Sequence, residues 1–417
     1  MYHKTVLPNG LRVVTERIPG LRSVSVGIWV NVGSRDETKE INGIAHFIEH
    51  MVFKGTGRRS ALDIAKEIDR VGGLSNAFTS RENTCFHAKV LDEHLPRILD
   101  LLADIFLHSR FDQAELERER QVILQEINMV EDSPDELVHD LFGRLVFGEN
   151  PLGFSVLGTK ETVSRMTSAG LKDYLHRAYT AEKIVIAGAG NLDHASFVEM
   201  VEKEFAEVPP KDGLSARSTP EFQATMALYP RDLEQVHLVL GGPGPAARDE
   251  RRYAGLLLNV ILGGSMSSRL FQEIRERRGL AYSIYSYLSL YEDVGLFGIY
   301  AGVAPDKVNE TVAIILEQIA RLRENHIGEE ELAAARDHVK GGLLLSAESS
   351  DTRMTRLARN EILFSRYVSY EEAISRIEAV TPEDICQLAR DFLTPERLSL
   401  VALGPIAEEK LTAFRRI

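Results

Sequence analysis

Tyr179-Thr180-Ala181-Glu182-Lys183-Ile184-Val185-Ile186 runs on to Gly190, and Leu393-Thr394-Pro395-Glu396-Arg397-Leu398-Ser399-Leu400 runs on to Gly404. The second stretch follows the first at a constant shift of 214 positions, Leu393 against Tyr179 and Gly404 against Gly190. Upstream, Met166-Thr167-Ser168 with Leu171 matches Val380-Thr381-Pro382 with Ile385 at the same shift. Each copy predicts a capped helix followed by a strand, with Thr167 and Thr381 as N-caps. A fixed internal period is the mark of a duplicated chain. Between the copies, Val208-Pro209-Pro210-Lys211-Asp212-Gly213, continuing through Ser215, Ser218 and Pro220, breaks both helix and strand. The expected organisation is therefore residues 1–207, a linker over 208–222, and a homologous half over 223–417.

Outward from this repeat, other segments alternate. Residues 24–32 and 84–90 predict half-buried strands, as do 236–240 and 295–302 in the second half. Gly72-Gly73 introduces a further strand with Asn76-Ala77-Phe78-Thr79. Helical periodicity covers 61–71, 93–107, 112–131 and 305–324. Helices following hairpin-like strands imply an α+β protein, each half a mostly antiparallel sheet packed with helices.

The 417 residues exceed one ordinary core, and 44% of them are apolar, enough to bury two. The net charge of −13 and the lack of a basic block argue against a nucleic-acid binder. The acidic balance suits solubility, or an interior that attracts basic substrates. Cys85 and Cys386 form neither a disulfide framework nor a CxxC pair. No apolar run reaches the length of a membrane span. Without an apolar segment at its start, the chain is expected in the cytoplasm, with an organellar matrix also compatible.

The chemistry is concentrated in Gly43-Ile-Ala-His46-Phe-Ile-Glu49-His50-Met-Val-Phe-Lys54. On a helix, His46 and His50 lie one turn apart on one face, with Glu49 beside them. Ile44, Phe47, Ile48, Met51 and Val52 form a separate apolar stripe. Chance would place an HxxEH in about 3 of 100 chains of this composition. A zinc site needs a third protein ligand and one open position. In residues 115–130, Glu119, Val122, Ile123, Glu126, Ile127 and Val130 share one helical face, which sets two carboxylates on an inward surface. Buried carboxylates need partners, and a cation or an imidazole would serve. Glu126 is the candidate third ligand. Glu119 is placed to hydrogen-bond a ligand histidine and fix its tautomer. A His, His, Glu set suits Zn²⁺ better than Mg²⁺ or Ca²⁺. Glu49 would serve as general base toward water.

With these residues in view, the chain resembles the pitrilysin/insulinase family of zinc peptidases with an inverted HxxEH motif, closest to its processing-peptidase branch and bacterial relatives of that branch. The resemblance covers nearly the whole chain, and His46 to Thr56 matches the family signature throughout. It implies zinc held by His46, His50 and Glu126, with Glu119 behind them. Two halves closing like a clam around a chamber are expected on the same ground, as is a homodimer of such chains. The resemblance makes Asn76, Ala77 and Phe78 an edge strand to which substrate adds, and Phe53 the apolar contact after the cut. Glu136 and Asp140 match acidic positions that receive an arginine before the cut. Being four apart on a helix, they could also bind a guanidinium jointly. Arg275 and Tyr282 match residues of the second half that orient the peptide and donate to its carbonyl oxygen. The second half lacks metal chemistry, because His46, Glu49 and His50 fall against Val260, Gly263 and Gly264 at the repeat shift. The expected function is a zinc-dependent endopeptidase acting on short or unfolded peptides. The alternative is an inactive scaffold of the same fold, which loss of any metal ligand would favour.

Overall fold

The computed structural model describes residues 1–211, 213–324, 327–406, 411, 413 and 414, so Asp212 of the linker lies outside the described residues. The first half runs β1 (Tyr2–Val6), β2 (Arg12–Arg17), β3 (Ser23–Val30), α1 (Ile44–Val52), α2 (Ala61–Arg70), β4 (Leu74–Thr79), β5 (Thr84–Leu91), α3 (Leu95–His108), α4 (Gln113–Glu131), α5 (Pro134–Phe147), α6 (Lys160–Arg165), α7 (Ser168–Ala178), β6 (Ile184–Gly190) and α8 (His194–Phe205). The second runs β7 (Met226–Pro230), β8 (Val236–Gly244), α9 (Arg252–Leu262), β9 (Ala281–Leu290), β10 (Gly295–Val303), α10 (Val308–Arg323), α11 (Glu329–Ser346), α12 (Ser350–Phe364), α13 (Tyr370–Ala379), α14 (Pro382–Phe392) and β11 (Ser399–Gly404). A short π-helical turn, Phe271–Arg277, lies between α9 and β9.

The two sheets repeat one plan. The first has the order β1-β2-β6-β3-β5-β4 and the second β7-β11-β8-β10-β9. Removing β1 makes them equivalent strand for strand. Each has one parallel pair, β2 with β6 and β7 with β11, and is otherwise antiparallel. The repeated helices α7 and α14 are both capped by threonine. Thr167 Oγ1 accepts from the Gly170 N–H (3.1 Å), and Thr381 Oγ1 from the Asp384 N–H (3.2 Å).

The central strands explain how the helices are distributed. All of β6 and β11 is buried. Ile184 and Ile186 join the core formed with α1 and α3, while Val185, Ala187 and Ala189 face the other way. A strand apolar on both faces must be covered on both. In the first sheet the second cover is α12, whose Met354, Leu357 and Ala358 pack on Val14, Trp29 and Val185. In the second sheet it is α5, whose Val138, Phe142 and Val146 pack with Val239, Tyr300 and Val401. These two helices occupy matching places in the repeat. By packing, one compact unit comprises residues 1–129, 154–217 and 346–367, and the other 130–153, 218–345 and 368–417. Among the described residues, no helix is long and apolar enough to cross a membrane.

Candidate active site

The α1 helix begins at Gly43, which holds φ +94°, a conformation that favours glycine. Ile44, Phe47, Ile48, Met51 and Val52 are buried in the first unit's core. That anchored stripe leaves His46, Glu49 and His50 to face α4 and β4. The two imidazole centroids stand 4.6 Å apart.

Glu126 on α4 meets both rings. Its Oε2 lies 3.7 Å from His46 Nε2 and 3.6 Å from His50 Nε2. One donor atom from each of the three lies within 4.8 Å of the others, and no second such group of three occurs among the described residues. Tetrahedral ligands at about 2.1 Å from zinc stand roughly 3.4 Å from one another, so these spacings fit one ion. The donor chemistry agrees. Burial, and then the neighbouring His50, pull the His46 imidazole down to about 3, so it is neutral with a lone pair to offer near pH 7. Its Nδ1 is buried and has no hydrogen-bond partner.

His50 is oriented by Glu119. Nδ1 lies 3.1 Å from Glu119 Oε2, and an ionised carboxylate can only accept, so Nδ1–H donates and the Nε2 lone pair points toward Glu126. The other Glu119 oxygen takes Lys54 Nζ at 2.7 Å. The signature lysine thereby completes the chain Lys54, Glu119, His50. Glu49 accepts from Thr79 Oγ1 at 2.6 Å. Burial raises the Glu49 carboxyl above its usual range, and the Thr79 hydroxyl opposes the shift.

The inward face of α4 differs from the expected one. Leu116, Glu119, Arg120, Ile123 and Ile127 are buried, while Val122 is 40% exposed and Val130 only half-buried. Arg120 takes the inward place. Its guanidinium lies 5.7 Å from the Phe47 ring centroid and donates to the carbonyls of Val163 and Met166 and to Glu117. A buried arginine with each of its three nitrogens hydrogen-bonded sits off the apolar stripe, which periodicity alone cannot show. Thr79, Lys54 and Arg120 were all missed as site-forming residues. Lys54 carried a signal, its place in the signature.

The other candidates fall as follows. Among the described strands β4 is the edge of its sheet, paired with β5, and it carries Asn76, Ala77 and Phe78. Phe78 is partly exposed and meets Trp29 edge-on at 5.4 Å. Phe53 is half-buried against the core, 6.5 Å from Phe86. In the second unit, Glu136 is exposed and Asp140 half-buried on α5. The structure brings Arg275 and Tyr282 together. The guanidinium lies 4.7 Å from the Phe271 ring and 4.8 Å from that of Tyr282, which is 79% exposed.

Two imidazoles and a carboxylate converge beside a partly buried glutamate on a duplicated α+β fold, and this group, the one found among the described residues, has the donor set of a zinc-dependent peptidase. Residues 12–160 match the family described as insulinase (peptidase family M16), and residues 165–339 match the peptidase M16 inactive domain. The chain is 44% identical over 405 residues to the uncharacterized zinc protease YmxG of Bacillus subtilis, covering 97% of this chain and 98% of that one. It is 42% identical over 415 residues to an uncharacterized zinc protease of Streptomyces coelicolor, covering 98% and 90%. The fold matches the crystal structure of a protease from Helicobacter pylori with TM-score 0.91 at 24% identity, over 97% of this chain and 99% of that one. It matches a peptidase M16 inactive domain structure from Pseudomonas fluorescens with TM-score 0.91 at 21% identity, over 98% of each. The chain belongs to peptidase family M16, the insulinase or pitrilysin type, and its cofactor is Zn²⁺.

Proposed function

We propose that this protein is an active zinc-dependent endopeptidase, with His46, His50 and Glu126 as metal ligands and Glu49 as general base. The observation that carries this is the convergence of His46 Nε2, His50 Nε2 and Glu126 Oε2 beside Glu49. Zinc held there supplies Lewis acidity toward a peptide carbonyl and makes water more acidic. Glu119 keeps His50 in the tautomer with its Nε2 lone pair available. Glu49 takes a proton from the attacking water and later delivers it to the leaving amine. Its raised pKa brings it nearer the operating range of a base at neutral pH. Thr79 holds that carboxylate in place from the end of β4.

The finer points belong to the same proposal. Asn76, Ala77 and Phe78 offer a free sheet edge for an extended peptide, which supports short or unfolded substrates. Phe53 is assigned to the residue after the cut, Glu136 and Asp140 to an arginine before it, and Arg275 and Tyr282 to peptide contacts. Phe53 is supported by the signature match, Glu136 and Asp140 by the wider family resemblance, and Arg275 and Tyr282 by that resemblance together with their stacked geometry in the second unit. A role in precursor processing, a homodimer and a cytoplasmic location complete the proposal.

Replacing Glu49 tests the chemistry. Glu49→Gln is expected to keep stoichiometric zinc by elemental analysis and to lose cleavage of a fluorogenic peptide by at least 10²-fold. Turnover at the wild-type rate would remove Glu49 as the base.

A further inference from the structure

Glu37 belongs to none of the groups assigned above. It is 2% exposed, and its carboxylate accepts three hydrogen bonds. Oε2 accepts from the Gly43 N–H (2.7 Å) and from Asn42 Nδ2 (2.9 Å), and Oε1 from the Ala45 N–H (2.9 Å). Gly43 is the N-cap of α1, and Ala45 immediately precedes His46. The first N–H groups of a helix have no partner within it, and the cap of α1, a glycine, offers no side chain. The buried carboxylate takes that place, and its charge favours the positive end of the helix dipole. Burial pushes the Glu37 carboxyl up to about 8, against the pull of the Ala45, Gly43 and Asn42 donors. Among the described residues the hydrogen bonds to it all come from N–H donors, so the pocket fits the ionised form.

The surroundings leave the start of α1 little freedom. A Cβ at Gly43 would stand 2.7 Å from the Leu157 carbonyl oxygen, and one at Gly158 would stand 2.4 Å from that of Asn42. Thr162 Oγ1 donates to the Asn42 carbonyl (2.7 Å), and Asn42 Nδ2 also donates to that of Ser155 (2.9 Å). An imidazole Nε2 lies roughly 7 Å from its helix axis. A turn of about 10° would carry it about 1.2 Å, against a tolerance of about 0.2 Å for a metal–ligand bond.

We propose that Glu37 is a positioning residue for the metal centre, fixing the rotation and height of α1 so that His46 and His50 meet Glu126 in zinc-binding geometry. The proposal rests on the assignment of His46, His50 and Glu126 as ligands.

The test compares the full-length wild type with Glu37→Gln, Glu37→Asp and Leu388→Ala, the last a core truncation in the second unit. Three quantities are read: zinc affinity by chelator competition, the visible spectrum of the cobalt-loaded protein, and the thermal midpoint without metal. Glu37→Gln puts an amide NH₂ among N–H donors, and is expected to weaken zinc about 10–100-fold and to alter the cobalt spectrum. Glu37→Asp keeps the charge, withdraws the carboxylate and gives an intermediate loss. Leu388→Ala lowers the thermal midpoint and leaves zinc affinity and spectrum as in the wild type. Wild-type affinity and spectrum in Glu37→Gln overturn the proposal, as does an equal zinc loss in Leu388→Ala. Should Glu37→Gln fail to fold, Glu37→Asp carries the comparison, and wild-type affinity there overturns the proposal equally. His50→Ala is measured alongside. Unchanged zinc content in it would sink the ligand assignment itself, and the role of Glu37 with it.

Discussion

His46 is 9% exposed, close to His50 and held neutral by that environment. Unfolded, an imidazole titrates near 6.5, whereas here its pKa is about 3. A base with a depressed folded pKa contributes stability that is present above 6.5 and lost as pH falls toward 3. The zinc-free protein is therefore expected to lose about 2–3 kcal/mol through this residue between pH 6.5 and 4.5. Urea unfolding at the two pH values measures it, with His46→Gln showing a shallower fall. Equal slopes in the two proteins would remove His46 from the account. At this scale the sequence named the two histidines and the three glutamates, Glu49, Glu119 and Glu126, by their spacing. It did not show Thr79 against Glu49, Lys54 against Glu119, or Glu37 beneath α1. Those pairs are distant in the chain or on different elements, and no local pattern requires them.

At the scale of elements, the strands followed from alternation and the long helices from periodicity, with bounds shifted by a few residues. The face of α4 was misjudged because Val122 is exposed while Arg120, off the expected face, is buried. Its guanidinium lies over the Phe47 ring and its donors meet the carbonyls at the end of α6. The covers on the central strands were also hidden. A fully apolar strand announces that both faces are buried, not which helix does it. Leu357 on α12 is 1% exposed beside Trp29, the chain's single tryptophan. Leu357→Ala is expected to cost about 2–5 kcal/mol, read as an earlier Trp29 fluorescence transition in denaturant. An unchanged midpoint would mean that α12 contributes little to that unit's core.

For the whole molecule, duplication gives two units of one plan while the described metal group sits in only one of them. The charge of −13 and the acidic pair on α5 bear on substrate choice. Glu136→Ala combined with Asp140→Ala is expected to reduce kcat/KM for peptides with arginine before the cut about tenfold or more. Arginine-free peptides should be cleaved as before. An equal loss on both peptide sets would deny these residues a role in specificity.

By itself the sequence determined the duplication, the class of both sheets and the candidate residues for holding zinc. Repeat spacing and helical or strand periodicity are local, and a linear chain records them directly. Only the tertiary structure decided that Glu126 reaches both imidazoles, that α5 and α12 close the second faces of the two sheets, and that Glu37 caps α1. Such contacts join residues far apart in the chain or lodged in turns, and depend on how buried surfaces and unsatisfied polar groups find partners during packing.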